Sequence, residues 1–185
     1  MPYSVILADP PWDFEVWNRD TGSRRSPSAH YETMNLDAIC ALRVGKLAES
    51  NCVLFLWAVW PRIFDAEKVI TAWGFRYKSL AWIWVKTTRD NKYATGMGYY
   101  TRANSEPCLL AVRGKMPVHT HDVLAIIASR RRAHSQKPDE QYSKIARLYP
   151  DGGRIELFAR QRWPGWSAWG NEIESDLKLE AECPS

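Results

Sequence analysis

Residues Val5-Ile6-Leu7-Ala8-Asp9-Pro10-Pro11-Trp12 run an apolar stretch straight into a stiff turn. The β-branched, uncharged start has the character of an interior strand. Two consecutive prolines then remove two backbone donors, so the ladder stops there, and Pro11 biases Pro10 toward an extended backbone. Open α/β sheets bind ligands beyond the carboxyl ends of their strands. To such a crevice the turn offers a carboxylate (Asp9), a carbonyl with no companion N–H (Pro10) and a large flat ring (Trp12). A planar base stacked on Trp12 would set its exocyclic amine against Asp9 and the Pro10 carbonyl. Two fixed acceptors favour charge developing on that nitrogen. A proline turn with a packing tryptophan accounts for the same residues, and the tetrapeptide alone does not separate the two readings.

Working outward, residues 53–57, 80–85, 108–112, 123–128 and 154–158 read as further strands. Helices are expected from Asn35 or Asp37 to about Leu47, from Pro61 through Ala72 with Gly74 ending it, and from Pro138 to about Leu148. Trp82 and Trp84 alternate and so share a strand face. The stretch holding Trp163, Trp166 and Trp169 reads as irregular, and 172–179 as a last amphipathic segment. Strands alternating with helices predict an α/β fold, a predominantly parallel sheet flanked by helices. No repeat or linker interrupts it, so residues 1–185 are expected to form a single domain. Asp9, Lys86, Arg113 and Arg160 all fall at or near strand ends, where one crevice could gather them.

With 185 residues, 45% apolar and 25% charged, the chain is long enough for a substantial core. A net charge of +4 suits a polyanionic partner without requiring one. Cys40, Cys52, Cys108 and Cys183 form no CxxC pair, which points to free thiols in a reducing compartment. No signal peptide or bilayer-spanning run is read, so a cytoplasmic protein without membrane attachment is expected.

Two long polar stretches stand out. Residues 13–30 carry Arg19, Arg24 and Arg25, and 86–104 interleave Lys86, Arg89, Lys92 and Arg102 with Tyr93, Tyr99 and Tyr100. Cations beside aromatics are what backbone contact plus base stacking requires, although solvated loops with anchoring tyrosines look the same. Arg130-Arg131-Arg132 is a candidate phosphate patch or a solvated face. His119, His121 and Asp122 lack a convincing further ligand, so no metal is expected.

The Asp9-Pro10-Pro11-Trp12 motif resembles that of the MT-A70 family of S-adenosylmethionine-dependent adenine-N6 methyltransferases. The resemblance continues through His30-Tyr31-Glu32-Thr33-Met34, Val53-Leu54-Phe55-Leu56-Trp57, Trp84-Val85-Lys86-Thr87 and Glu106-Pro107-Cys108-Leu109. It then runs through Ser135-Gln136-Lys137-Pro138-Asp139-Glu140, Ile155-Glu156-Leu157-Phe158-Ala159-Arg160 and Trp169-Gly170-Asn171-Glu172, in family order over nearly the whole chain.

The resemblance implies a Rossmann-like methyltransferase fold, S-adenosylmethionine as cofactor, and Asp9, Pro10, Pro11 and Trp12 as the catalytic set. It assigns Asp9, Lys137, Glu156, Arg160, Asn171 and Glu172 to the cofactor. Tyr31, Lys86, Tyr100 and Glu106 go to the acceptor. Compact bacterial and phage-type members are similarly minimal, which implies DNA ahead of RNA as the nucleic-acid partner. A target adenine in duplex DNA would have to be flipped out to reach Asp9. RNA, and a catalytically silent nucleic-acid-binding subunit, are the alternatives. Two departures from better-known eukaryotic members stand out. The Asp-Ile block of an earlier strand has no counterpart, and Arg162 and Trp163 stand where those members have His and Asn.

Overall fold

The structure of the chain, a computed structural model, describes residues 2–13, 33–96, 98, 100–132 and 136–181. Strand β1 (Tyr3–Ala8) lies inside a sheet of seven strands among the described residues. The others are β2 (Ala48–Trp57), β3 (Arg76–Thr87), β4 (Ser105–Arg113), β5 (Ile126–Arg130), β6 (Arg154–Leu157) and β7 (Ser167–Trp169). Their order is β5-β3-β4-β2-β1-β6-β7. The flanking helices are α1 (Leu36–Cys40), α2 (Ile63–Ala72) and α3 (Glu140–Leu148).

Four of the six strand pairings are parallel, in line with the predominantly parallel α/β sheet the sequence predicts. β4 is the exception, antiparallel to both β2 and β3. It therefore brings its first residues, including Glu106, to the edge where the parallel strands end. Arg113, expected in the crevice, is carried to the opposite edge by the same reversal. There its guanidinium donates to the carbonyls of Gly45 (2.7 Å), Trp73 (3.1 Å) and Gly74 (3.2 Å).

Alternation along the strands sorts the core into two layers. Ile6, Ala8, Leu54, Leu56, Ile155 and Leu157 face α1 and α2 and meet Ile39, Val69, Ile70 and Trp73. Val5, Leu7, Val53, Phe55 and Trp57 point the other way, against Tyr142, Ile145 and Tyr149 of α3 and its continuation. Trp82 and Trp84 do share a face, both fully buried in this second layer, and Trp82 stacks on Phe55 with centroids 5.1 Å apart. Burying each such side chain contributes about 1.5–3 kcal/mol.

Several elements differ from the sequence reading. Asn35 caps α1, accepting from the Ala38 N–H at 2.8 Å, but the helix stops at Cys40 and a separate 3-10 turn follows over Val44–Lys46. The break lies where Leu42 and Arg43 pair with the C-terminal segment at Ala181 and Glu180. The irregular tryptophan stretch contains β7, and the amphipathic segment at 172–179 takes the form of turns and bends. Asp176 holds them to β7: its carboxylate accepts from the Ala168 N–H at 2.8 Å, and its own N–H donates back to the Ala168 carbonyl at 2.9 Å. Among the described residues no helix is long and apolar enough to cross a membrane.

Candidate active site

Every parallel strand ends on one edge, and that edge gathers the charged residues. Asp9 follows β1, its N–H still donating to the Leu157 carbonyl at 3.4 Å. Lys86 is near the end of β3, Glu106 is the second residue of β4, and Lys137 lies just before α3. Lys137 Nζ donates to Asp9 Oδ1 at 2.8 Å and Oδ2 at 2.7 Å, and sits 3.3 Å from Glu106 Oε2. Lys86 Nζ donates to Glu106 Oε1. The four side chains thus alternate in sign as Lys86, Glu106, Lys137, Asp9.

Two tryptophan rings floor this line. Lys137 Nζ is 5.4 Å from the Trp57 ring centre and Lys86 Nζ is 4.9 Å from that of Trp84. Both rings are fully buried, so their faces hold the ammonium groups with little competition from water. Trp57 is fixed in turn, its indole N–H donating to the buried Gln141 side chain at 2.8 Å. Sequence reading missed Trp57 and Gln141 as parts of the site. Gln141 is the second residue of α3, and nothing in its own stretch of sequence points to the Trp57 ring it holds.

Burial pushes Glu106 upward, but Lys137 and Lys86 together hold it below the ordinary glutamate value. Burial also works against the Lys137 ammonium, yet Asp9 and Glu106 outweigh it and keep that group above the usual lysine range. Asp9 has only a share of one ammonium. Burial and the Glu106 charge lift it above the ordinary aspartate value despite Lys137 and the more weakly felt Arg160. The charged line therefore leaves Asp9 as its least compensated carboxylate, with a quarter of its side chain open.

The motif turn is tighter than the sequence suggested. The Pro10 carbonyl accepts the Trp12 N–H at 2.8 Å, and the Pro11 carbonyl accepts the Met34 N–H at 2.9 Å. Trp12 is 3% exposed, its indole N–H bonded to the Trp57 carbonyl at 2.9 Å. Of the two readings open to it, stacking surface or packing ring, Trp12 takes the second: its ring is a wall of the core, with the Met34 bridge and the β2 end closing over the turn.

The remaining assigned residues surround the same edge. Glu156 on β6 accepts from the Tyr142 hydroxyl at 2.8 Å. Tyr142 in turn stacks on Trp163, centroids 4.0 Å apart. Burial pushes the Glu156 carboxyl up to about 7, the Tyr142 bond opposing and the Asp9 and Asp139 charges adding. After β6, Phe158 takes a φ of 62°, uncommon for a residue with a side chain, and turns the chain sharply. Arg160 follows, 3.7 Å from Glu172 across the gap between the β6 and β7 ends. A Cβ on Gly170 would lie 2.1 Å from the Ala159 carbonyl oxygen, so only glycine lets these two loops meet. Asn171 is exposed beside it. Tyr100 is fully exposed and stands apart from the charged line, and Tyr31 lies outside the described residues.

Among the described residues no cluster of three or more His, Cys, Asp or Glu side chains could hold a metal. Asp122, beside His121, is engaged with Thr120 at 2.6 Å and Arg147 at 2.7 Å.

The MT-A70 family model matches residues 3–172. The Type II methyltransferase M.MunI of Mycoplasma sp is 32% identical over 194 residues, which cover 96% of this chain and 80% of that protein. The N(6)-adenosine-methyltransferase MT-A70-like protein of Drosophila melanogaster is 32% identical over 97% of this chain but 28% of its own length. The N(6)-adenosine-methyltransferase catalytic subunit METTL3 of Homo sapiens is 29% identical over 97% of this chain and 30% of its own length. The chain thus spans under a third of these last two relatives. Its sheet, its Asp-Pro-Pro-Trp turn and the extent of these matches agree: the chain belongs to the MT-A70 family of S-adenosylmethionine-dependent adenine-N6 methyltransferases.

Proposed function

We propose that this chain binds S-adenosylmethionine at the carboxyl edge of its sheet and methylates the N6 amine of adenine in DNA. The observation that carries the reading is the Asp9 carboxylate, the least compensated member of a buried line of alternating charges. The donor set suits the cofactor. Lys137 and Arg160 are cations for its carboxylate, while Glu156, Asn171 and Glu172 supply acceptors for hydroxyls and an ammonium. Bound there, the cofactor would supply an electrophilic methyl group on sulfonium.

Asp9 would accept a hydrogen bond from the target amine as that nitrogen becomes tetrahedral, stabilising its developing charge. The second lone pair of the Pro10 carbonyl remains for the same amine, the first being taken by Trp12. Lys137, held between Asp9 and Glu106, would keep both carboxylates ionised and aimed. Direct displacement needs in-line geometry more than a strong base, which suits a site built from rigid strand ends.

DNA is put first because a Type II methyltransferase, M.MunI, matches 96% of this chain at 32% identity. RNA is the second reading, since the Drosophila melanogaster and Homo sapiens relatives are named for N(6)-adenosine. The free thiols Cys40, Cys52 and Cys108 fit a cytoplasmic setting. Incubation with labelled cofactor and separate DNA and RNA pools, followed by nucleoside mass analysis, tests the reading. N6-methyldeoxyadenosine is expected; label in RNA with inert DNA would reverse the acceptor, and label in neither would remove the function.

A further inference from the structure

We infer that Trp60 is the stacking platform for a nucleobase of the acceptor strand, an inference that rests on the nucleic-acid acceptor proposed above. Trp12 is closed into the core, so the motif itself presents no open stacking face. Among the described tryptophans, Trp60 is the exposed one, with 45% of its surface open. It opens a 3-10 turn over Trp60–Arg62, three residues beyond Trp57, whose ring carries Lys137. An exposed ring this close to the charged line is in position to meet whatever the line binds.

Trp60 is also held. Its indole N–H donates to Ser105 Oγ at 3.2 Å, and Ser105 is the residue immediately before Glu106. The chain leaving β2 is pinned alongside, the Ala58 N–H donating to the Pro107 carbonyl at 3.0 Å. One edge of the ring is thereby tied to the strand that bears Glu106, while much of its surface stays open. That is the design a stacking platform needs, because a base stacks on any fixed aromatic face whatever its hydrogen-bonding edge. Phe64, four residues on and 89% exposed, adds a second open ring on the element that follows. Cations stand on the same edge of the sheet, with Lys92 in the β3–β4 turn and Arg131 just beyond β5, both exposed. Aromatic faces among exposed cations fit a single-stranded or flipped segment of nucleic acid better than they fit an apolar protein partner.

The test uses Trp60→Ala and Trp60→Phe in the full chain, with saturating cofactor and a random-sequence pool of whichever nucleic acid the wild type methylates. Trp60→Ala should raise the acceptor KM about tenfold, the usual scale for losing one base–aromatic stack. Trp60→Phe, which keeps a face but loses the bond to Ser105, should raise it much less. Cofactor affinity by calorimetry and the melting temperature should be unchanged in both. An acceptor KM within twofold of wild type in Trp60→Ala overturns the inference and leaves the methyltransferase reading intact. A change in sedimentation with no change in acceptor KM also overturns it, and gives the surface to a second copy of the chain. A wild type that methylates neither DNA nor RNA removes the proposed function itself, and the platform with it.

Discussion

Lys137 grips both carboxylate oxygens of Asp9, at 2.8 and 2.7 Å, across 128 positions of sequence. The contact joins the turn after β1 to the approach of α3 and ties the group proposed to meet the acceptor amine to the cation proposed for the cofactor. Substituting either partner separates the two roles.

Asp9→Asn keeps the shape of the side chain but removes the charge that favours a cationic nitrogen. Loss of one transition-state contact of this kind typically costs about 3–4 kcal/mol, on the order of a hundred- to a thousandfold in rate. Single-turnover methylation at saturating cofactor reads this directly, and calorimetry should show cofactor affinity changing far less. Near-wild-type transfer by Asp9→Asn would remove Asp9 from the reaction.

Lys137→Met deletes a charge while roughly keeping the stem. Asp9 and Glu106 then lose the cation between them in a site where Lys137 is 9% exposed. Removing one partner from a buried ionic group commonly costs about 3–5 kcal/mol. Urea unfolding should show that loss at pH 8 and a smaller one at pH 5, where one of the two carboxylates can take up a proton. Equal losses at both pH values would show that the carboxylates do not depend on Lys137.

Trp12→Phe separates packing from stacking. Phenylalanine keeps an aromatic face but leaves the Trp57 carbonyl without the indole N–H it now accepts at 2.9 Å. A buried acceptor left unsatisfied costs about 1–3 kcal/mol, so the variant should melt several degrees lower. The acceptor KM measured well below that melting point should move little. A stable variant with a raised acceptor KM would return the stacking role to Trp12.

How much of this was legible beforehand depended on whether a residue acts through its own stretch of chain or through a distant one. The turn at Asp9 was legible because prolines and an apolar run constrain the backbone locally. Asn35 and Gly74 were legible for the same reason, as a cap and as a helix end with φ of +80°. β7 was hidden, since Ser167-Ala168-Trp169 is short and its pairing partner is Ile155–Leu157. The tetrapeptide left Trp12 open between stacking and packing because what buries it, Met34 and the end of β2, lies far along the chain. Arg113 was misplaced because nothing in residues 105–113 reveals that β4 runs backwards.

Glu156 gives the site a pH dependence with a definite sign. Its folded value of about 7 lies above the ordinary glutamate value of 4.5, chiefly through burial. Between those two values the folded chain holds more protons than the unfolded one. The protonated Glu156 therefore favours folding at low pH, and that advantage is lost as pH rises toward about 7. Its size is at most about 3 kcal/mol. Glu156→Gln mimics the protonated form, so its stability relative to wild type should rise between pH 5 and pH 8. Denaturant titrations across that range decide it; a constant difference would mean Glu156 does not titrate there.

The reversal of β4 also makes a prediction for Arg113. Its guanidinium donates to three carbonyls, those of Gly45, Trp73 and Gly74, and lies 5.2 Å from the Phe75 ring centre. It closes the end of α2 against the far edge of the sheet, where a Cβ on Gly74 would lie 2.4 Å from one of its nitrogens. Arg113→Met should lose about 2–3 kcal/mol, the scale of hydrogen bonds made by a charged donor. Because Arg113 stands at the opposite edge from Asp9, kcat and both KM values at a temperature where the variant is folded should match wild type. A raised acceptor KM without loss of stability would mean that the far edge also touches nucleic acid. Thermal melting and steady-state kinetics on the one variant distinguish these outcomes.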